Sequence, residues 1–405
     1  MLKLLVKVKK MYIFVIMAFV LISPVIGIVI SVLLFAQKHF SRLSAIIFGT
    51  SMALMMYCYI PDSGNDIFRH FISMNSYKNI PLWQCFGNST FQSGVFTWDL
   101  WLWVIARFNN MQLLQASGAF VAYTVLTWMI FDYACFNCLK MKQWITTLLI
   151  GVTIVPILDI GIGIRYANAF IIAGYAFYRH YINNIGIIQT ICVLLAAVFL
   201  HHAMIPIIVA WVALPFFSKH KGICTLATVV LLSLFTGYAQ TVRIGSTDTI
   251  VGMLCDSVIG TTQVYTSYAV TSFHSLFTRY LQMIFAGALL TRPYVASSKG
   301  DITQNSKLWN LSYIVFIEGV SMSFNLGSNG NRFFVMSMIL SLIPFAQSIE
   351  EWPFLAKRKC CCLDIAIVFC AAGSFALYLY NMNWGSGSLA SFLLGGIAAP
   401  SMMIP

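Results

Sequence analysis

Apolar runs bounded by polar or turn residues recur along the whole chain. They fall near 12–36, 44–61, 112–134, 143–160, 166–182, 186–201, 203–217, 222–240, 275–292, 308–326, 332–349 and 363–382. Most approach the roughly 20 residues that a helix needs to cross a bilayer. The pattern predicts an all-α, polytopic integral membrane protein with about 12 transmembrane helices, arranged as one multi-pass domain over residues 1–405. The pair 186–201 and 203–217 reads equally as one broken helix, because Pro206 stands just past His201 and His202. No internal repeat and no low-complexity segment interrupts the series.

Composition narrows the class further. Charged residues make up 9% of the 405 and apolar ones 60%, with a mean hydropathy of +0.83. An ordinary soluble domain carries about 25% charge, and a chain this poor in charge cannot cover a globule with polar surface. The net charge of +12 would suggest nucleic acid in a soluble protein. Here it is first a statement about sidedness, and no nucleic-acid partner is expected.

Counting Lys and Arg on alternate sides of the runs assigns the cytoplasmic face. One side carries Lys38, Arg42, Lys140, Lys142, Arg179, Lys219, Lys221, Arg292, Lys299, Lys307, Lys357, Arg358 and Lys359. The other has Arg69, Lys78, Arg107, Arg165, Arg243 and Arg332, plus Lys3, Lys7, Lys9 and Lys10 at the extreme N-terminus. The first set is the richer, so it faces the cytoplasm. The N-terminal lysines oppose that assignment, which makes Met11 an alternative start or residues 1–10 a tolerated exception. The long run from Tyr12 lacks a cleavage-site pattern and does not read as a signal peptide.

With this topology the larger extracytoplasmic loops are about 62–111 and 241–274. The first holds Trp98, Trp101 and Trp103 in a short aromatic stretch broken by Asp99, which predicts a helix lying along the interface, its tryptophans in an aromatic belt. Most cysteines sit in or beside apolar runs and act as small hydrophobes. Only Cys85 and Cys255 fall in outer loops where a disulfide is conceivable, and Cys135-Phe-Asn-Cys138 has no second CxxC to make a zinc site.

Sorting the cations by type exposes an asymmetry. The inner face is mainly Lys, whereas the outer face is mainly Arg: Arg69, Arg107, Arg165, Arg243 and Arg332. Arg279 falls inside an apolar run, with His274 nearby. Arginine's planar fork suits bidentate contact with phosphate or carboxylate, and a lipid-linked pyrophosphate is the anion expected at an outer membrane face. The alternative is that each Arg pairs with an outer aspartate (Asp62, Asp66, Asp99, Asp159, Asp248 or Asp256) or with helix-end carbonyls. An Arg in mid-span must line a polar cavity unless it snorkels.

Four short motifs carry candidate chemistry. Pro61-Asp62-Ser63-Gly64-Asn65-Asp66-Ile67-Phe68-Arg69-His70 turns into a helix, with Asn65 or Asp66 as N-cap, or Asp66 and Arg69 paired at i, i+3. Asp159-Ile-Gly-Ile-Gly-Ile-Arg165-Tyr166 puts glycines before an Arg at a helix start, where orphan N–H groups favour an anion. His201-His202 lies at an outer turn, either as an interfacial anchor or as a proton-transfer group. Asn325-Leu-Gly-Ser-Asn-Gly-Asn331-Arg332 leads into a third outer arginine at a helix start.

Taken in order, these motifs resemble the O-antigen and exopolysaccharide polymerases of the Wzy type, in particular the EpsG-like group. The resemblance implies a GT-C-related helical fold and a bacterial inner-membrane glycosyltransferase. Its substrate would be undecaprenyl-pyrophosphate-linked oligosaccharide repeat units, joined at the periplasmic face during lipopolysaccharide biosynthesis. Asp66 matches the acidic position of the first loop, Arg165 the Gly-x-Arg arginine, His201 the histidine and Arg332 the later arginine. His70 stands where an aromatic Tyr is more usual, and the doubled histidine leaves His201 and His202 both open.

On this reading Asp66, Arg165 and His201 are the catalytic candidates, and Arg69, His202, Arg243, Arg279 and Arg332 the substrate-binding ones. Arg165, Arg279 and Arg332 would hold the diphosphate, while Asp66 or His201 would accept the acceptor's proton. The outer aromatics Trp83, Trp98, Trp101, Trp103, Tyr265 and Tyr268 would suit stacking on sugar rings, the three clustered tryptophans reading more readily as the interfacial belt. The outer loops hold no DxD or metal-ligand cluster, so no cofactor is expected. The partners are the bilayer, the lipid-linked saccharide and a chain-length regulator. A flippase of the same lipid would show two related halves and cationic positions open to both sides; an O-antigen ligase handles the same donor with another acceptor.

Overall fold

In the computed structural model, residues 16, 18–37, 41–59, 61, 66–85, 95–157, 160, 163–241, 259, 273–296, 306–325, 329–349 and 361–381 are described. Their regular structure is helical throughout: α1 Pro24–Ala36, α2 Ser41–Tyr57, α3 Asp66–Ser76, α4 Leu82–Cys85, α5 Phe96–Ala106, α6 Gln112–Phe136, α7 Met141–Ile154, α8 Ile164–Tyr181, α9 Ile187–Leu200, α10 Met204–Lys219, α11 Lys221–Thr241, α12 Phe273–Ala296, α13 Ser306–Asn325, α14 Asn329–Ser348 and α15 Cys361–Asn381. Each apolar run of the sequence carries one of these helices. The run across His201-His202 is two helices, α9 and α10, with His201 extended between them.

Among the described residues α6 is the one helix long and apolar enough to cross a membrane by length and composition; α1, α5, α9 and α10 are apolar but shorter. The segment 62–111, expected from the sequence to be an outer loop, contains α3, α4 and α5 among its described residues. Nearly all of the second loop, with Arg243, Cys255, Tyr265 and Tyr268, lies outside the described residues, as do Asp62, Asp159 and the side chains of Cys85 and His274.

Helix α14 is the hub, packed against α7, α8, α12 and α13. Its residues from Phe333 to Ala346 are almost all buried, so it is covered on every side, as a central helix must be. Small polar residues bring α13 close: Ser312 Oγ meets the Ser337 carbonyl at 2.8 Å and Ser341 Oγ at 2.7 Å. Gly330, at the start of α14, lies so near α13 that a Cβ there would stand 1.8 Å from Ser323 Oγ and 2.7 Å from the Gly319 carbonyl. Only a residue without a side chain permits this approach.

Asp99, which interrupts the aromatic stretch of α5, is buried and accepts the Tyr77 hydroxyl at 2.9 Å. Trp101 Nε1 donates to Ser117 Oγ and Trp103 Nε1 to the Ile80 carbonyl. The helix is therefore tied into the protein at three points. Trp98 is only 3% exposed, so the tryptophan expected in an interfacial belt is a buried packing residue.

Candidate functional site

Five elements deliver side chains to one place: α3, α5, the start of α8, the start of α14 and the α9–α10 turn. Asp66 opens α3, where a carboxylate complements the helix dipole. One turn on, Arg69 Nη2 lies 2.7 Å from Asp66 Oδ1, and His70 Nε2 lies 3.6 Å from Oδ2. Of the two readings the sequence left open for Asp66, the i, i+3 ion pair with Arg69 is present, and the i, i+4 histidine adds to it. Arg69 is 75% exposed and His70 only 10%, so the histidine faces inward and the arginine outward.

The inner group continues without a gap. The His70 ring meets Trp98 edge-on at 4.8 Å, and the Arg165 guanidinium carbon lies 5.9 Å from the Trp98 ring centre. Arg165 is within electrostatic range of Asp66, His70 and His201 alike. Beside it, Tyr166 sits edge-on to His201 at 6.3 Å and beneath Arg332, whose guanidinium carbon is 5.0 Å from its ring centre. Arg332 Nη1 closes the set 3.4 Å from His201 Nε2. Gly163 makes the turn possible, since a Cβ there would fall 2.0 Å from Tyr166 Cε1.

The structure therefore brings Asp66, Arg165, His201 and Arg332 together. His202 follows in the same turn, close enough for its charge to act on His201. Arg279 Nη1 donates to the Ser323 carbonyl of α13 at 3.2 Å. Arg107 donates to the Lys78 carbonyl at 2.7 Å and to the Ile80 carbonyl, and covers Trp103 at 4.4 Å. It fastens α5 to the preceding turn. Three residues of the site were not singled out as functional from sequence: His70, Trp98 and Tyr166. His70 carried a signal, its i, i+4 spacing from Asp66.

Proton affinities divide the pair on α3. Contact with His70 holds the Asp66 carboxyl below its ordinary value; burial opposes this, and Arg69 and Arg165 add to it. For His70, burial is the largest influence and lowers its affinity, with Arg165 and Arg69 in the same direction. Asp66 pulls the other way without prevailing. The pair is a charged carboxylate against a neutral imidazole at neutral pH.

His201 has a different environment. Its Nδ1 accepts the Ala203 backbone N–H at 3.0 Å. A neutral imidazole offers one acceptor, so the proton stands on Nε2. That N–H and the Arg332 guanidinium are both donors, aimed into the same corner. Two donors facing one another are satisfied by an anion between them. Among the described residues no group of three or more His, Cys, Asp or Glu side chains is placed to hold a metal ion.

No family model, curated protein or solved structure matches this chain.

Proposed function

We propose that the chain is a membrane glycosyltransferase, a polymerase of polyprenyl-pyrophosphate-linked oligosaccharides, with a helical architecture of the GT-C kind in the bacterial inner membrane. The observation that carries this reading is the corner formed by Arg332, His201 and Arg165, three donors suited to a diphosphate, set beside a carboxylate–imidazole pair. Exposed apolar side chains on the outer helices support a lipid surround: Ile188 on α9, Val212 and Phe216 on α10, and Leu226 and Leu234 on α11. Helices α9 and α10 are each too short to span alone. Their break at His201 puts irregular backbone against the site, where its polar groups find partners.

In the proposed reaction a hydroxyl of one lipid-linked repeat unit attacks the anomeric carbon of the growing chain. The new C–O bond forms as the bond to pyrophosphate breaks, and the lipid pyrophosphate leaves with the electron pair. Arg165, Arg332 and the His201 Nε2–H stabilise the charge developing on that leaving group. His70, neutral and inward-facing, takes the hydroxyl proton, and Asp66 steadies the imidazolium. Trp98 holds the His70 ring in place.

Deleting the gene in a host that makes polymeric O-antigen tests the reading. The expected result is lipopolysaccharide capped with single repeats, restored to a ladder by the wild-type gene and not by Arg332→Gln. Loss of all caps identifies a flippase or ligase instead, and an unchanged ladder overturns the reading altogether.

A further inference from the structure

The end of α8 opposite the anion corner carries a second group of cations. Arg165 opens this helix, and Arg179 stands in its last turn, about 21 Å further along the axis. Arg42, in the first turn of α2, covers the Trp128 ring of α6 with its guanidinium carbon 5.5 Å from the ring centre. Arg179 covers Tyr175 in the same way at 5.8 Å, and the two rings lie 5.5 Å apart. Both guanidinium groups are within electrostatic range of the Tyr175 hydroxyl, which Arg179 also engages by hydrogen bond.

Neither arginine is neutralised by contact. Among the described residues no carboxylate stands within ion-pair distance of either one. Asp132, the acid of this neighbourhood, accepts the Tyr178 hydroxyl at 2.7 Å and the Asn183 amide at 2.9 Å on its Oδ2. The group is also open: Arg42 is exposed, and Trp128, Tyr175 and Arg179 are half-buried. Two guanidinium forks on accessible aromatic faces suit a phosphate.

The surroundings say which kind of phosphate. One turn further into the bundle, on the same face of each helix, stands an apolar residue that keeps some exposure: Ile46 on α2, Val125 on α6 and Ile172 on α8. A free anion would leave that strip uncovered, whereas a phospholipid uses both parts, headgroup at the cations and acyl chain along the strip.

We infer that Arg42, Trp128, Tyr175 and Arg179 form a headgroup site for an anionic phospholipid, at the end of α8 that the distribution of Lys and Arg assigns to the cytoplasm, with an acyl chain over Ile46, Val125 and Ile172. The inference rests on the membrane setting of the function proposed above and not on its reaction.

Native mass spectrometry of the full chain tests this, with the protein delipidated in detergent and offered phosphatidylglycerol or phosphatidylcholine of the same acyl chains. The wild type is expected to bind phosphatidylglycerol about 25-fold more tightly, about fivefold for each arginine. Arg42→Gln alone should lower that preference about fivefold, and Arg42→Gln with Arg179→Gln should abolish it. Size exclusion and thermal melting accompany each variant, and if the double variant unfolds the exposed Arg42 carries the test. Lys219→Gln with Lys221→Gln removes the same charge elsewhere on the expected inner face and should leave the preference intact. A preference lost equally there reports diffuse surface charge and overturns the inference, as does a wild type without preference. Displacement of the lipid by glycerol 3-phosphate identifies a site for soluble phosphates and overturns it too. Alkaline extraction of membranes checks the membrane setting, and polymerisation in the host checks the proposed reaction, so each reading can fail alone.

Discussion

Arg332 and His201 approach to 3.4 Å across more than a hundred residues of sequence, donor facing donor, once the Ala203 N–H has claimed the Nδ1 of the imidazole. The contact brings two donors to one point, where an anion can accept from both. Arg332→Gln is expected to weaken pyrophosphate binding and polymerisation by about 100-fold, the usual cost of removing one preorganised donor. Arg165→Lys keeps the charge and removes the fork, and should lose about tenfold. Titration with inorganic pyrophosphate in nanodiscs measures both, and an unaltered affinity in both variants would remove the anion corner from the mechanism.

The α3 pair makes a pH prediction. His70 holds its proton less readily in the folded protein than the ordinary value of 6.5. Its contribution to stability is therefore complete above 6.5 and is lost as pH falls from there through the folded value. Asp66, also depressed, loses its contribution only below 3.8. Activity should thus fall on the acid side of 6.5 while the fold still holds, and His70→Gln should flatten that limb of the profile. An acid limb unchanged in His70→Gln assigns the proton transfer elsewhere.

Packing at Gly330 makes a third. An alanine methyl would meet the Gly319 backbone carbonyl at 2.7 Å, and backbone cannot rotate away as a side chain can. Gly330→Ala should destabilise by about 1–3 kcal/mol through overpacking. Gly163→Ala meets only the Tyr166 ring, so its melting temperature should change less than its activity. Equal melting temperatures for Gly330→Ala and wild type would contradict the close approach of α13 and α14.

A fourth concerns the far end of the bundle. Arg292 Nε contacts Asp364 Oδ1 at 2.7 Å, and its Nη1 donates to the Ser348 carbonyl at 3.0 Å, joining α12, α14 and α15. Both side chains are nearly buried, so Asp364→Leu leaves an uncompensated cation and should cost about 3–5 kcal/mol. Arg292→Met with Asp364→Leu should recover much of that loss. Melting curves of the three variants decide it, and a double variant no better than the single refutes the pair's role.

The helices were legible because long apolar runs report themselves without any periodicity. The candidate site was legible in residue types: in a chain this apolar, Asp66, Arg165, His201 and Arg332 stand out. Sequence singled out Arg165 by its Gly-x-Arg setting and left Arg107 without a role; what it could not show was that Arg107 clamps the Lys78 and Ile80 carbonyls, which only tertiary contact reveals. Trp98 was read with Trp101 and Trp103 as a belt because clustering in sequence says nothing of which face of α5 is covered.

Asn331 and Arg332 are consecutive on α14, and consecutive helical side chains diverge by about 100°. Arg332 covers Tyr166 at the start of α8. The serine seam ties α13 to α14, so any twist of α14 that re-aims Arg332 must carry α13 with it.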